Sequence, residues 1–134
     1  MGQPLAKLGD MVITVDTHLV LVPAPPGPPV PTPLPHPFNG VINANCSPNV
    51  FIGGVPAATV GSIAFNNPPH IPTPPGVSFV VPPTNQAVIM TGSATVRING
   101  KMAARNNDTA QSCADPAPNM NAKIIAAGVI MVGG

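Results

Sequence analysis

The chain has 134 residues and a formal net charge of +1, with 44% apolar, 7% charged and 3% aromatic residues, 21 prolines and 13 glycines, which fits one small domain over residues 1–134 with few places for a long helix. Five Lys and Arg scattered along it form no basic stripe that could neutralise a row of phosphates, so nucleic acid is excluded as a partner. The apolar stretch from Met11 to Val22 is broken by Asp16 and His18 and is too short to span a bilayer, and the N-terminus lacks the cationic start and unbroken apolar core of a signal peptide.

The first element in chain order is the phrase Gln3-Pro4-Leu5-Ala6-Lys7-Leu8-Gly9-Asp10. It returns as Val55-Pro56-Ala57-Ala58-Thr59-Val60-Gly61-Ser62 and as Lys101-Met102-Ala103-Ala104-Arg105-Asn106-Asn107-Asp108. A unit that recurs implies a unit that stacks or closes on its own copies. The second and third copies follow Asn49-Val50-Phe51-Ile52-Gly53-Gly54 and Thr95-Val96-Arg97-Ile98-Asn99-Gly100, short apolar strands ending in Gly-Gly and Asn-Gly. Those dipeptides mark two-residue type I′ hairpins, whose central residues both need positive φ. The first copy has no such strand before it. The last residues, Val129-Ile130-Met131-Val132-Gly133-Gly134, have the missing shape, so the termini are expected to meet and complete a third hairpin, giving approximate threefold symmetry within one chain.

Between these copies lie two proline-rich segments, with nine prolines in fifteen residues from Pro23 to Pro37 and seven in sixteen from Pro68 to Pro83. Proline favours polyproline II and lacks an amide donor, so both are expected to be stiff loops wrapping a compact body rather than central strands. A docking ligand for SH3-like or WW-like domains is the other reading. Asn119 to Ala127 fits either a short helix or an extended edge.

The second and third phrases, each built around an Ala-Ala pair and following a strand with a glycine turn, resemble the Pro-Ala-Ala-Arg repeat of the PAAR family, and the first shares their register. The resemblance covers the chain from about Leu5 to its C-terminus. No copy reads Pro-Ala-Ala-Arg in full, since Lys7, Thr59 and Met102 depart from it. The resemblance implies an all-β fold, a short pointed β cone with pseudo-threefold symmetry and proline-rich loops. It further implies a spike-tip protein that caps a trimeric spike of the VgrG or phage gpV kind, one cone per trimer, in a contractile injection machine such as a type VI secretion system. The cone would meet the target membrane mechanically, with possible effectors docked on it. Such a protein is expected to be cytoplasmic while assembled and delivered outward on firing.

The metal-binding residue types follow the repeats. His18 lies eight residues after Asp10 and His70 eight after Ser62, while Cys113 lies five after Asp108 and His36 is held between Pro35 and Pro37. Three imidazoles and one thiolate satisfy a tetrahedral divalent site, and mixed nitrogen and sulfur donors suit zinc. The PAAR resemblance points the same way, to a structural zinc near the tip held by His18, His36, His70 and Cys113. Cys46 competes with His36 as the fourth ligand, and a Cys46–Cys113 disulfide is the alternative use of the two cysteines. A filled four-ligand site leaves no position for water, and with Asp10, Asp16, Asp108 and Asp115 as the whole acidic inventory the chain is not expected to be an enzyme. The alternative function is a free metal-binding or proline-ligand adaptor.

Overall fold

A computed structural model describes residues 2–128 and 130–132. Among them the chain forms thirteen strands and no helix. In order these are β1 (Gln3–Pro4), β2 (Met11–Val22), β3 (Val30–Ala44), β4 (Phe51–Ile52), β5 (Val55–Pro56), β6 (Ile63–Asn66), β7 (Ser78–Phe79), β8 (Gln86–Ile89), β9 (Arg97–Ile98), β10 (Lys101–Met102), β11 (Thr109–Ser112), β12 (Asn119–Ile125) and β13 (Met131–Val132). The undecided segment near the C-terminus is thus a strand.

The repeats build one end of the molecule. Three antiparallel hairpins, β4–β5, β9–β10 and β13–β1, share one register: Phe51, Arg97 and Met131 lie opposite Pro56, Met102 and Pro4. The predicted turns have the predicted backbone, with φ of 58° and 84° at Gly53 and Gly54 and of 54° and 81° at Asn99 and Gly100. The third pairing joins the two ends of the chain, as expected from their shape; Val129, Gly133 and Gly134 of that expectation lie outside the described residues.

One alanine of each repeat closes a ring. Ala6 N–H donates to the Ala104 carbonyl (2.9 Å), Ala104 N–H to that of Ala58 (3.1 Å), and Ala58 N–H to that of Ala6 (3.0 Å). A second ring runs in the opposite sense, with Leu8 N–H donating to the Pro56 carbonyl, Val60 N–H to that of Met102 and Asn106 N–H to that of Pro4. All three ring alanines are fully buried, because three backbones approaching one axis leave room for a methyl group and little more. Each repeat then turns on its last residue. The side chains of Asp10, Ser62 and Asp108 accept the N–H of Lys7, Thr59 and Arg105 respectively, at 2.8–3.0 Å. Lys7 and Arg105 also form ion pairs with Asp10 and Asp108 at 3.1 and 2.9 Å. Where the cation is replaced by Thr59, the acid is replaced by Ser62, so neither departure leaves a charge unpaired.

Beyond the rings the strands close into an antiparallel six-stranded barrel in the order β2-β3-β6-β8-β11-β12, with β12 returning to β2. Its core holds Ile42, Ile89 and Ile124, which are related by the pseudo-threefold, together with Val12 and Phe38. Gly40 makes room for Phe38, since a Cβ there would sit 2.5 Å from the ring. The barrel is short on four sides and long on two. β6, β8 and β11 have four residues each, whereas β2 has twelve and β3 fifteen. Among the described residues β7 is the one further strand paired with the outer part of the β2–β3 hairpin, through Val20 with Phe79 and Leu21 with Ser78. The body therefore narrows from six strands to three and then to one hairpin, and this taper makes it a β cone.

One expectation changes. The run from Pro23 to Pro37 is a loop only as far as Pro29; from Val30 onward it is the longest strand of the fold, in unbroken register with β2. The reason is parity. Pro31, Pro33, Pro35 and Pro37 occupy every second position, and successive residues of an antiparallel strand direct their N–H and C=O to opposite edges. All four missing donors therefore fall on the edge away from β2, where β6 pairs only with residues from Gly40 onward. The run from Pro68 to Pro83 is mostly irregular, as expected, apart from β7.

Two substitutions test the parity. Leu34→Pro, in the opposite phase, should remove a ladder bond to β2 and destabilise the protein by about 1–3 kcal/mol in urea unfolding; Pro33→Ala should cost no more than about 1 kcal/mol. Similar losses for the two would refute the phase argument. The union of the termini is tested by Val132→Asp, which buries a carboxylate among Leu5, Ala57, Ile98 and Ala103. It should lower the melting temperature by several degrees, whereas Met131→Asp, at an exposed position, should leave it nearly unchanged.

Candidate metal centre

Strand alternation aims β2 at the axis. Val12, Asp16, His18 and Val20 are buried while Val15 and Thr17 between them are exposed. On β3 the same rule turns His36 and Phe38 inward. The loop after β6 delivers His70 and the segment after β11 delivers Cys113, so residues far apart in sequence meet where the barrel gives way to the hairpin. The three imidazoles lie together, with ring centroids 4.8 Å apart for His18 and His70, 5.2 Å for His18 and His36, and 5.6 Å for His36 and His70. Phe38 lies 5.9 Å from His70 on the core side, and Phe79 lies 5.6 Å from His18 and 5.3 Å from His36 on the side toward the hairpin.

Potential ligand atoms of Asp16, His18, His70 and Cys113 all fall within 4.8 Å of one another. Cys113 Sγ is 3.7 Å from His18 Nε2 and 3.5 Å from Asp16 Oδ2, and His70 Nε2 is 3.4 Å from the same Asp16 oxygen. The structure thus brings three of the expected ligands, His18, His70 and Cys113, into one group. His36 stands beside it, with Nδ1 2.9 Å from the Leu34 carbonyl and Nε2 accepting the Thr73 N–H at 3.1 Å. Cys46 belongs to neither group. It packs against the barrel core, and both cysteines are free thiols, so there is no disulfide between them.

Two carboxylates went unrecognised in the sequence. Asp16 reads there as a charge breaking an apolar run, yet its spacing of two from His18 inside a strand already places both on one face. Asp115 lies two residues after Cys113. Its Oδ2 is 2.8 Å from His18 Nδ1 and its Oδ1 accepts the Leu19 N–H at 3.0 Å, which fixes the ring with Nε2 toward the cluster. A carboxylate holding the far nitrogen of a histidine is the usual outer support of a metal ligand.

The donor set of oxygen, nitrogen and thiol sulfur suits a divalent ion of the zinc type. A thiol, an imidazole and a carboxylate in line, as Cys113, His18 and Asp115 are, also resembles the layout of a cysteine nucleophile with its base. The electrostatics oppose that use. Burial first, and then the neighbouring Asp16 carboxylate, push the Cys113 thiol up to about 11, the reverse of an activated nucleophile. Burial pushes the Asp16 carboxyl up as well, but hydrogen bonds from His70, Ser112, Cys113 and Asn119 outweigh it and hold the group below its usual range. Burial lowers His36, keeping that ring neutral.

The model of the PAAR motif matches residues 35–115 of the chain, more than half of its length. The chain belongs to the PAAR family. This is a family of spike-tip proteins of machines of the type VI secretion kind, structural rather than enzymatic. No curated protein matches the chain. Within the PAAR match lie His36, His70, Cys113 and Asp115, while Asp16 and His18 precede it on β2.

Because the Cys113 thiol is protonated at neutral pH, a cation bound there has to displace its proton. Metal affinity should therefore rise with pH, by about tenfold per unit for each proton released. Titration with cobalt(II) at pH 6, 7 and 8 measures it; an affinity independent of pH would mean that the thiol is not a ligand.

Proposed function

We propose that this PAAR protein is the tip of an injection spike: it caps the blunt end of a trimeric VgrG-like or gpV-like partner, one cone per trimer, and concentrates the force of contraction on a target membrane. The observation that carries this reading is the cyclic ring of Ala6, Ala58 and Ala104 with its three like hairpins. A single chain that presents three similar surfaces about one axis at its broad end, and one narrow hairpin at the other, has the symmetry to seat on a trimer and the shape to pierce.

A structural zinc would hold the narrow half together. There the strands number three or fewer and the packing groups are the histidines with Phe79. His18, His36, His70 and Cys113 are the residues around that point which carry ligand atoms, with Asp16 among them. Structural zinc contributes about 10–16 kcal/mol in small zinc-finger peptides, enough to dominate the stability of a thin segment. On this reading the protein is cytoplasmic while the machine is assembled and leaves the cell on firing.

The adaptor reading loses part of its ligand. Pro31 to Pro37 are bound in register to β2, and a strand already hydrogen-bonded along its length is not a free polyproline II segment for an SH3-like domain.

Mixing the protein with its candidate spike and weighing the complex by native mass spectrometry should give one chain per trimer. With only five Lys and Arg and four Asp in the chain, and with Lys7 and Arg105 already paired, the contact should be mostly apolar and should survive 0.5 M salt, where the Debye length is below about 8 Å. Three cones per trimer, or no complex at any salt concentration, would refute the proposal.

A further inference from the structure

We propose that the narrow end of the cone is a lipid-binding surface: the outer part of the β2–β3 hairpin, with β7 beside it, enters the headgroup and upper acyl region of a bilayer without applied force. This rests on the injection-spike reading above and names the chemistry that its point meets.

Charge is sorted along the axis. All five Lys and Arg lie in the repeats and their hairpins or on β12, and the four Asp either end repeats or stand at the junction of barrel and hairpin. Residues 19–35 and 74–83, which form the narrow end, carry no charged side chain, and their polar side chains are the two hydroxyls of Thr32 and Ser78. The Thr32 hydroxyl is spent within the strand, donating to the Val30 carbonyl at 3.1 Å. Val30, Val77 and Val80 are exposed there. An exposed apolar surface without charge matches the boundary between headgroups and acyl chains, where a charged one would have to be desolvated.

The backbone is prepared in the same way. A segment that enters a bilayer has to bring its own hydrogen bonds, because an amide left without an acceptor is costly there. Eight of the seventeen residues 19–35 are proline and have no N–H to desolvate. At the hairpin's end Gly27 N–H donates to the Ala24 carbonyl at 2.9 Å, and on the far edge of β2 the N–H groups of Val77 and Val80 donate to the carbonyls of Leu21 and Leu19 at 2.9 and 3.0 Å. Gly76 lets that segment lie flat on β2, since a Cβ there would sit 2.5 Å from Val20 Cγ2, and so keeps the wedge thin. The carbonyls of Pro31 and Pro33 face the open edge of β3 and call for donors. Water and headgroup ammonium groups supply them and the hydrocarbon centre does not, so the insertion is shallow.

The chain has no Trp or Tyr, so one introduced Trp reports its own surroundings. Val30→Trp at the narrow end and Met131→Trp at the broad end, each shown to be folded by far-UV circular dichroism, are titrated with vesicles of phosphatidylethanolamine and phosphatidylcholine carrying brominated acyl chains. Val30→Trp should shift to the blue and be quenched severalfold more than Met131→Trp. Wild type should float with the same unbrominated vesicles, and adding phosphatidylglycerol or 0.5 M salt should change its partitioning by no more than about twofold. The double variant Val30→Asp/Val77→Asp, altered at two exposed positions, should melt as wild type does and partition about tenfold more weakly or less. Equal quenching at the two ends, binding that requires phosphatidylglycerol, or undiminished binding of the double variant would overturn the proposal. So would a wild type that does not float, even if one cone still seats on each trimer; vesicle binding without any trimer complex would instead remove the spike reading and leave the lipid surface.

Discussion

Everything in this fold depends on three backbones meeting at one axis. The exchange of N–H and C=O groups among Ala6, Ala58 and Ala104 satisfies six main-chain groups in a place that water does not reach. Such a ring is possible only with side chains no larger than methyl at the axis, and that is why the ring alanine is common to all three copies while the residue before it is Leu5 in the first and alanine in the other two. Once the ring is set, the strands that leave it are spaced around a circle, and the barrel follows. The scarcity of aromatic residues follows as well: a core this narrow is filled by Ile, Val and Ala, with room for one fully buried phenyl ring at Phe38.

The taper sets where chemistry is needed. Near the ring, each strand has neighbours on both sides and the apolar cluster holds the sheet closed. Past Asn66, Gln86 and Ser112 the neighbours end, and the long hairpin must be held by something other than a ladder. The fold answers with polar side chains. Asp16 and Asp115 draw in Ser112, Asn119, His18 and Leu19, tying the hairpin to the segment after β11, and Thr73 ties the proline loop to β3. The cluster of potential ligands sits at this junction, so a cation there would bind the two long strands to two loops at once.

Much of this was legible in the sequence, for physical reasons that can be named. Gly53-Gly54 and Asn99-Gly100 announce their turns because few other residues accept positive φ twice in succession. The equal offsets of His18 and His70 announced a shared point because equal repeats deliver equal offsets to equal places. Asp16 stayed hidden because a single carboxylate in an apolar run looks the same whether it faces solvent or a cluster, and only the partners on β11 and β12 decide. The strand character of Val30 to Pro37 stayed hidden because proline content counts donors without regard to the edge on which they are missing.

That one-sided absence has a further effect. The outer half of the β2–β3 hairpin exposes a long, lightly covered strand, which in most proteins would be an invitation to pair with the next molecule. Pro31, Pro33, Pro35 and Pro37 turn to that open edge carbonyls with no amides between them, so an arriving strand finds acceptors but no donors and no continuous ladder can form. The same four residues that stiffen the point thus make it unable to nucleate edge-to-edge aggregation; among the described residues β2 is the one strand laddered to the proline-bearing half, and the Thr73 hydroxyl donates to the Pro35 carbonyl on the open edge.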